Sequence, residues 1–189
     1  MGPDAGHVHC RLSWSLDAKK WSWVDTAGGG VTGAEFIPAG VQGTFDSHVC
    51  FAAHSPVFNA TGDGVTHRIY YMGGNGPHSG LRNTSFAVAT LHGDRFAGLG
   101  SVGASSVTTQ EIEVSGGTFI ATVDVETASG GEVAFSVSGE QGQRLPSGTL
   151  AKDCTDCPVA GMDLSSYVGK KVKFTITVRH AVVFTIGFV

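Results

Sequence analysis

A glycine-rich loop between two strand-like runs carries the side chains best suited to chemistry. The segment "GGNGPHSGLR", residues 73–82, holds Asn75, His78 and Arg82. Their amide, imidazole and guanidinium groups form the hydrogen bonds by which proteins hold sugars and anions. For His78 the alternative is an imidazole bonded to a backbone carbonyl. For Arg82 the alternative is an ion pair with Asp46.

Asp46 is the carboxylate that topology should bring to this loop. It opens a strand after "GTF", so it either contacts a ligand or caps the start of the strand. In an up-and-down sheet, the start of one strand and the loop after the next lie at the same end. We therefore expect Asp46 and His48 to share an edge with the loop. Tyr70 and Tyr71 alternate, and we assign the ligand-facing position to Tyr71.

Glycoside hydrolysis by this chain alone is not expected. It needs two carboxyl groups, about 5 Å apart for retention and about 6.5 to 9.5 Å apart for inversion. Asp17, Asp63 and Asp94 fall in turns, where aspartate bonds to the backbone. No second carboxylate matches the position of Asp46, so we assign no catalytic residue. If self-association completes a site, Glu35 or Asp63 is the carboxylate to test with Asp46.

The cysteines allow several arrangements. Cys10, Cys50, Cys154 and Cys157 permit three disulfide pairings. Neither "HVHC" nor "CTDC" has a second pair at zinc-site spacing, so we predict no metal site and no cofactor. We expect "CTDC" to form a local disulfide or to hold free thiols. No βαβ pattern surrounds it, which argues against redox catalysis.

Charge and hydropathy exclude several classes of partner. The chain has 189 residues, 12 lysines and arginines, and a net charge of -4. This balance predicts no nucleic-acid binding. No run approaches the roughly 20 apolar residues that span a bilayer, so we expect no membrane partner. The opening "MGPDAGHVHC" contains no apolar core of a signal peptide. The compartment is left unassigned, and secretion stays open if the chain is a fragment.

The spacing of apolar residues predicts an all-β chain. The 28 glycines have no collagen-like period and indicate turns between short strands. Alternation is clearest over 171–179, which predicts one wet face and one buried face. A single helical turn is expected in "MDLSSYVGKK", begun by Asp163 and ended by Gly169. A shift in composition predicts two domains, 1–100 and 101–189.

The three tryptophans lie near the start of the chain. Trp14 and Trp21 flank the turn in "SWSLDAKKW", and Trp23 follows two residues later. Large aromatic side chains usually pack in a core, and this is the expectation for all three. The alternative is a platform on which sugar rings stack.

The order of several motifs resembles a family of β-propellers. "SWSLDAKKW" is similar to the strand-turn-strand motif of sugar-active propellers. "GTFDSHVCFAAHSPVF", followed by "RIYYMGGNGPHSGLRNTSFAVATLHGDRF", resembles the last blade of the five-bladed propellers of glycoside hydrolase families 32, 43 and 68. "DLSSYVGKKVKFTITVRHA" resembles the end of the β-sandwich that trails them. The resemblance runs from about residue 12 to the end.

The resemblance implies a partial β-propeller of about one and a half blades, followed by an antiparallel β-sandwich. The family's catalytic carboxylates come from early and middle blades, which are missing here. It therefore implies carbohydrate association without independent catalysis. The end of the blade that faces the substrate pocket would carry Asp46, His48, Tyr71, Asn75, His78 and Arg82.

Two other functions are kept open. Exposed blade edges favour homo-oligomers, so the chain could be a structural or protein-interaction module without a small ligand. It could also be a glycosidase whose site is completed by self-association.

Overall fold

The computed structural model describes residues 6–24, 35–61, 64–138 and 145–189. In these ranges the chain is all-β, as the alternation predicted. The contacts divide it into two units, Met1–Leu91 and His92–Val189. Among the residues that the structure describes, no helix is long and apolar enough to cross a bilayer.

The strands follow one another in short steps. The first unit contains β1 (Cys10–Arg11), β2 (Ser13–Trp14), β3 (Ser22–Trp23), β4 (Glu35–Ile37), β5 (Val49–Ala52), β6 (Val57–Thr61), β7 (Gly64–Gly74) and β8 (Thr84–His92). The second contains β9 (Leu99–Ser101), β10 (Ser105–Thr108), β11 (Ile112–Glu113), β12 (Thr118–Val125), β13 (Glu132–Ser138), β14 (Ser147–Leu150), β15 (Cys154–Asp163), β16 (Lys171–Arg179) and β17 (Ala181–Phe188). Two 3₁₀ turns span Thr127–Ser129 and Ser165–Tyr167.

The C-terminal unit contains two antiparallel sheets. One has the order β10-β16-β13-β14, with β11 also paired to β16, and the other has the order β15-β12-β17-β9. In β16 the buried side chains are those of Val172, Phe174, Ile176 and Val178. The predicted wet and buried faces of 171–179 are therefore confirmed.

Both sheets contribute side chains to one hydrophobic cluster. Phe119 of β12 is fully buried, and its ring stacks on that of Phe174 of β16 at a centroid distance of 5.0 Å. The Phe119 ring also makes a T-shaped contact with the Phe135 ring of β13, at a centroid distance of 5.2 Å. Burying such rings removes a large apolar area from water, so this cluster is the main source of stability in the unit.

The single helical turn expected before β16 is present. It is a 3₁₀ turn, Ser165–Tyr167, and Asp163 accepts hydrogen bonds from the Ser165 hydroxyl and amide at 2.7 and 2.9 Å. These bonds, the hydroxyl one foremost, hold the pKa of Asp163 below its usual value. Gly169 then takes a φ of 78°, a left-handed conformation that favours glycine.

The N-terminal unit is built from smaller sheets. β1 pairs with β4, β2 pairs with β3, and a four-stranded sheet joins β5, β6 and β8 to the long strand β7. β5 lies against the end of β7, from Val49↔Gly74 to Ala52↔Tyr71, and β6 lies against its beginning. The break between β5 and β6 falls at residues 53–56 and includes Pro56, which has no amide to donate to a neighbouring strand.

The tryptophan prediction is wrong. Trp14, Trp21 and Trp23 are 51%, 63% and 53% exposed. In the described part of the chain, β2 and β3 pair only with each other. A two-stranded ribbon without a facing layer has no interior in which large side chains can be buried.

Covalent bonds and backbone pairing hold the N-terminal segment. A disulfide joins Cys10 of β1 to Cys50 of β5. The other disulfide is local and lies in the C-terminal unit, where it joins Cys154 to Cys157 within β15. Beside the first, the Val8 amide donates to the His48 carbonyl at 3.0 Å, and the Cys50 amide donates to the Val8 carbonyl at 2.9 Å. The described apolar side chains buried in this unit are few, namely Ile37, Val49, Cys50 and Ile69.

We expect the two disulfides to differ in their effect on stability. The first closes a sequence separation of 40 residues and the second a separation of 3. The chain entropy removed from the unfolded state predicts a stabilisation of about 4 kcal/mol for the longer loop and about 2 kcal/mol for the shorter one. Cys10→Ser with Cys50→Ser should therefore lower the free energy of unfolding of the N-terminal unit by the larger amount.

Urea unfolding followed by segment-resolved hydrogen exchange would measure this difference. The matched control is Cys154→Ser with Cys157→Ser. Equal losses from the two double variants would contradict the loop-length argument.

Candidate functional site

The start of β5 and the end of β7 lie side by side. Val49 is paired with Gly74, and the His48 amide donates to the Gly74 carbonyl at 3.0 Å. The segment that carries Asp46 and His48 therefore adjoins the root of the glycine-rich loop. The shared edge predicted from topology is observed.

Asp46 contacts two hydroxyl groups. The Tyr71 hydroxyl donates to Oδ2 at 3.0 Å. The Thr44 hydroxyl lies 3.0 Å from Oδ1 and 2.8 Å from the Val41 carbonyl, so these two acceptors share its single proton. The Asp46 carboxylate is half-buried. Within the described residues, its hydrogen bonds are to side-chain hydroxyl groups, whereas a cap at the start of a strand would bind backbone amides. Each carboxylate oxygen has a second lone pair, so Asp46 retains capacity to accept further hydrogen bonds.

Tyr71 is both a donor and part of an aromatic surface. Its pKa is raised above the ordinary value, first by burial and then by the hydrogen bond and charge of Asp46. The Tyr71 hydroxyl therefore keeps its proton at neutral pH and donates it to the carboxylate. The Phe45 ring stacks near Tyr71 at a centroid distance of 6.4 Å and is 40% exposed.

Phe45 and Thr44 were missed as site residues in the sequence. The signal was present in "GTFDS", because a polar residue and an aromatic residue immediately precede the aspartate. An exposed ring beside a carboxylate is the combination that contacts both the apolar face and the hydroxyl groups of a sugar.

Gly73 allows this arrangement. A Cβ on Gly73 would lie 2.6 Å from the Asp46 Cβ and 2.8 Å from the Phe45 Cε2. A side chain at this position of β7 would therefore push the 45–46 segment away. Glycine lets Phe45 and Asp46 lie directly over the strand that carries Tyr71.

Two of the predicted loop residues stabilise the loop itself. The Asn75 Oδ1 accepts from the Asn83 amide at 2.9 Å, and the Asn75 amide donates to the Asn83 carbonyl at 3.1 Å. Arg82 donates from Nη1 to the carbonyls of Pro77, at 3.2 Å, and His78. Arg82 thus closes the loop through backbone carbonyls rather than through the ion pair with Asp46 that was its alternative to ligand binding.

The two predicted histidines contact the N-terminal segment. The His48 Nδ1 lies 2.9 Å from the Ser47 Oγ, and its ring centroid lies 4.5 Å from that of His7. The His78 amide donates to the Gly6 carbonyl at 2.7 Å, while its exposed ring lies 5.5 Å from the Phe51 ring. The alternative for His78 was an imidazole bonded to a backbone carbonyl. The bond to the Gly6 carbonyl is instead made by the backbone amide of His78.

The carboxylates considered as partners of Asp46 have other surroundings. Glu35 accepts a hydrogen bond from the Ala39 amide at 2.7 Å and contacts the His9 Nδ1. The Ala39 bond is the main cause that lowers the pKa of Glu35, so this group is ionised at neutral pH and unsuited to general acid catalysis. Asp63 lies outside the described residues. Asp17 binds the amides of its own turn, as predicted.

In comparisons with known proteins, no family model, no curated protein and no solved structure matches this chain.

The contact between Tyr71 and Asp46 predicts an altered alkaline titration. Asp46→Asn removes the charge that helps to hold the proton, so the pKa of Tyr71 should fall towards its ordinary value. A raised tyrosine pKa stabilises the fold below about pH 10, and this stabilisation disappears as the pH rises through the folded-state pKa. The variant should therefore lose less stability than the wild type over that alkaline range.

Carbon-13 NMR of ring-labelled tyrosine would follow the titration of Tyr71. Glu111→Gln, at an exposed position of the other unit, is the matched control and should leave the Tyr71 curve unchanged. An Asp46→Asn curve that coincides with the wild type would contradict the assigned hydrogen bond.

Proposed function

We propose that this chain is a carbohydrate-associated β-protein, related to the C-terminal part of a glycoside-hydrolase-like propeller protein, without catalysis of its own. The order of the blade-like and sandwich-like motifs supports the relationship. In the proposal, the N-terminal unit corresponds to about one and a half blades, and the two sheets of the C-terminal unit to the trailing β-sandwich.

The observation that carries the proposal is the surface formed by Phe45, Asp46 and Tyr71. Asp46 accepts a hydrogen bond from Tyr71 and contacts the Thr44 hydroxyl, yet it is only half-buried, and the neighbouring Phe45 ring is 40% exposed. A sugar could stack its C–H face on Phe45 while neighbouring hydroxyl groups donate to Asp46. Because the carboxylate is already positioned, less ordering is needed when a ligand binds.

The chemistry of the carboxylates supports binding rather than hydrolysis. Protonating the leaving group requires a carboxylic acid that retains its proton near neutral pH. Glu35 has the opposite property, since the Ala39 amide lowers its pKa. Tyr71 keeps its proton, but its hydroxyl is directed at Asp46. This favours a site that recognises sugars over one that cleaves them.

The disulfides indicate the environment in which such a protein would work. Structural disulfides persist in oxidising compartments, and both pairs of cysteines are bonded here. A secreted or cell-surface location, where glycans are abundant, is part of the proposal.

Calorimetric titration with a panel of neutral oligosaccharides tests the proposal. We expect at least one sugar to bind with a Kd of about 1 mM or tighter, which corresponds to about -4.1 kcal/mol. Asp46→Asn should weaken this binding by about tenfold or more, because a hydrogen bond to a charged group contributes about 1.5 to 3 kcal/mol. Phe45→Ala should weaken it as well by removing the stacking surface.

Phe86→Ala is the matched control for Phe45→Ala, because Phe86 is 89% exposed on β8 of the same unit. It should leave the affinity unchanged. Absence of binding by every sugar at millimolar concentration, or an equal loss in the Phe86 variant, would reject the proposal.

A second candidate function is supported by the surface around β8. Phe86, Val88 and the preceding Leu81 are all exposed apolar side chains. Such a surface suits an interaction module that assembles with other copies or with a protein partner. A mass that rises with concentration in light scattering, and falls to that of a monomer in Phe86→Asp, would favour this candidate.

A further inference from the structure

The hairpin of β2 and β3 presents three tryptophans on a short ribbon. Ser13 is paired with Trp23 and Trp14 with Ser22. Beyond the pairs, the Val24 amide donates to the Leu12 carbonyl at 3.1 Å. The ribbon is therefore a formed hairpin whose indole rings are exposed.

The register places the tryptophans on two faces. Paired residues of an antiparallel ribbon point to the same face, so Trp14 and Trp23 point to opposite faces. Trp21 directly precedes β3, and continuing the alternation of the strand by one residue puts it on the face of Trp23, about 6.6 Å along the chain. Both rings are more than half exposed. They form a short aromatic strip on one side of the hairpin.

The turn adds positive charge to this strip. The Asp17 Oδ1 accepts from the amides of Lys19 and Lys20 at 2.8 and 2.9 Å, and the Ser15 hydroxyl donates to the same oxygen. The Lys20 amide bond, followed by that of Lys19, keeps the pKa of Asp17 below its usual value. The carboxylate is thus engaged by its own turn, while Lys19 and Lys20 are exposed.

We infer that this hairpin binds an acidic polysaccharide, with sugar rings stacked on Trp21 and Trp23 and sugar carboxylates paired with Lys19 and Lys20. The inference rests on the proposed function and extends it from neutral sugars to a charged glycan at a second surface. The two ammonium groups provide the charge complementarity, although the whole chain has a net charge of -4. Exposed ion pairs are weak and screened, so binding depends on salt.

The residues at the tip of the hairpin make a lipid bilayer a less suitable binding partner than an acidic polysaccharide. The exposed Leu16 at the tip is followed by Asp17, Lys19 and Lys20. A tip with three charged groups in four positions resists transfer into hydrocarbon. The indole rings lie behind that tip, where a ligand can reach them from the side.

Affinity electrophoresis and calorimetry with polygalacturonate test the inference on the full chain. Trp21→Ala with Trp23→Ala should weaken binding about tenfold, in line with the stacking that aromatic rings supply to cyclic ligands. Lys19→Gln with Lys20→Gln should weaken it about fivefold at low salt and flatten its dependence on salt. Because all four side chains are exposed, the unfolding midpoint should not change.

The matched control is Lys171→Gln with Lys173→Gln, which removes the same charge from exposed positions of β16. It should retain the affinity for polygalacturonate. An equal loss in this control would overturn the inference, since net charge alone would then explain binding. Absence of polygalacturonate binding by the wild type, or binding only to phosphatidylglycerol vesicles, would also overturn it.

The two proposals fail separately. Asp46→Asn should reduce the binding of neutral oligosaccharides and leave polygalacturonate binding unchanged, because Asp46 is not part of the hairpin. The hairpin variants should show the opposite pattern. If Asp46→Asn removes the binding of both ligands, the separate hairpin site is overturned.

Discussion

The disulfide between Cys10 and Cys50 is the constraint on which the N-terminal unit depends. The C-terminal unit has a shared cluster of buried rings and aliphatic side chains around Phe119. The described part of the N-terminal unit buries few apolar side chains, so hydrophobic burial contributes less there. A covalent bond across 40 residues limits the unfolded chain instead and holds β1 against β5.

The candidate site lies next to the segment that the Cys10–Cys50 disulfide holds in place. Hydrogen bonds link Val8 to both His48 and Cys50, and another links Gly6 to the glycine-rich loop at His78. The loop is closed from within by Asn75 and Arg82. The N-terminal segment therefore fixes the two neighbours of Asp46, namely the start of β5 and the loop that follows β7. The disulfide and these hydrogen bonds therefore position Asp46, and the exposed Phe45 ring beside it is available to a ligand.

Local pattern predicted much of this arrangement, and tertiary context decided the rest. Alternation revealed the buried face of β16, and strand order brought Asp46 to the loop, because both follow from the geometry of adjacent residues or adjacent strands. The exposure of Trp14 could not be predicted from composition, since it depends on whether another layer covers the hairpin. Four cysteines permit three pairings, so spacing alone could not select the bond between Cys10 and Cys50. The loop-closing bonds of Arg82 likewise depend on a backbone conformation that its sequence does not specify.

Hydrogen–deuterium exchange in the Cys10→Ser, Cys50→Ser variant would show whether the disulfide holds the site, because it reports the protection of each backbone amide. Exchange should be faster at positions 48, 50 and 78, whose amides donate in the wild type to the carbonyls of Gly74, Val8 and Gly6. Amides in the pairing of β13 with β16 should exchange at the wild-type rate. Unchanged protection at these three positions in the variant would show that the disulfide does not hold the site.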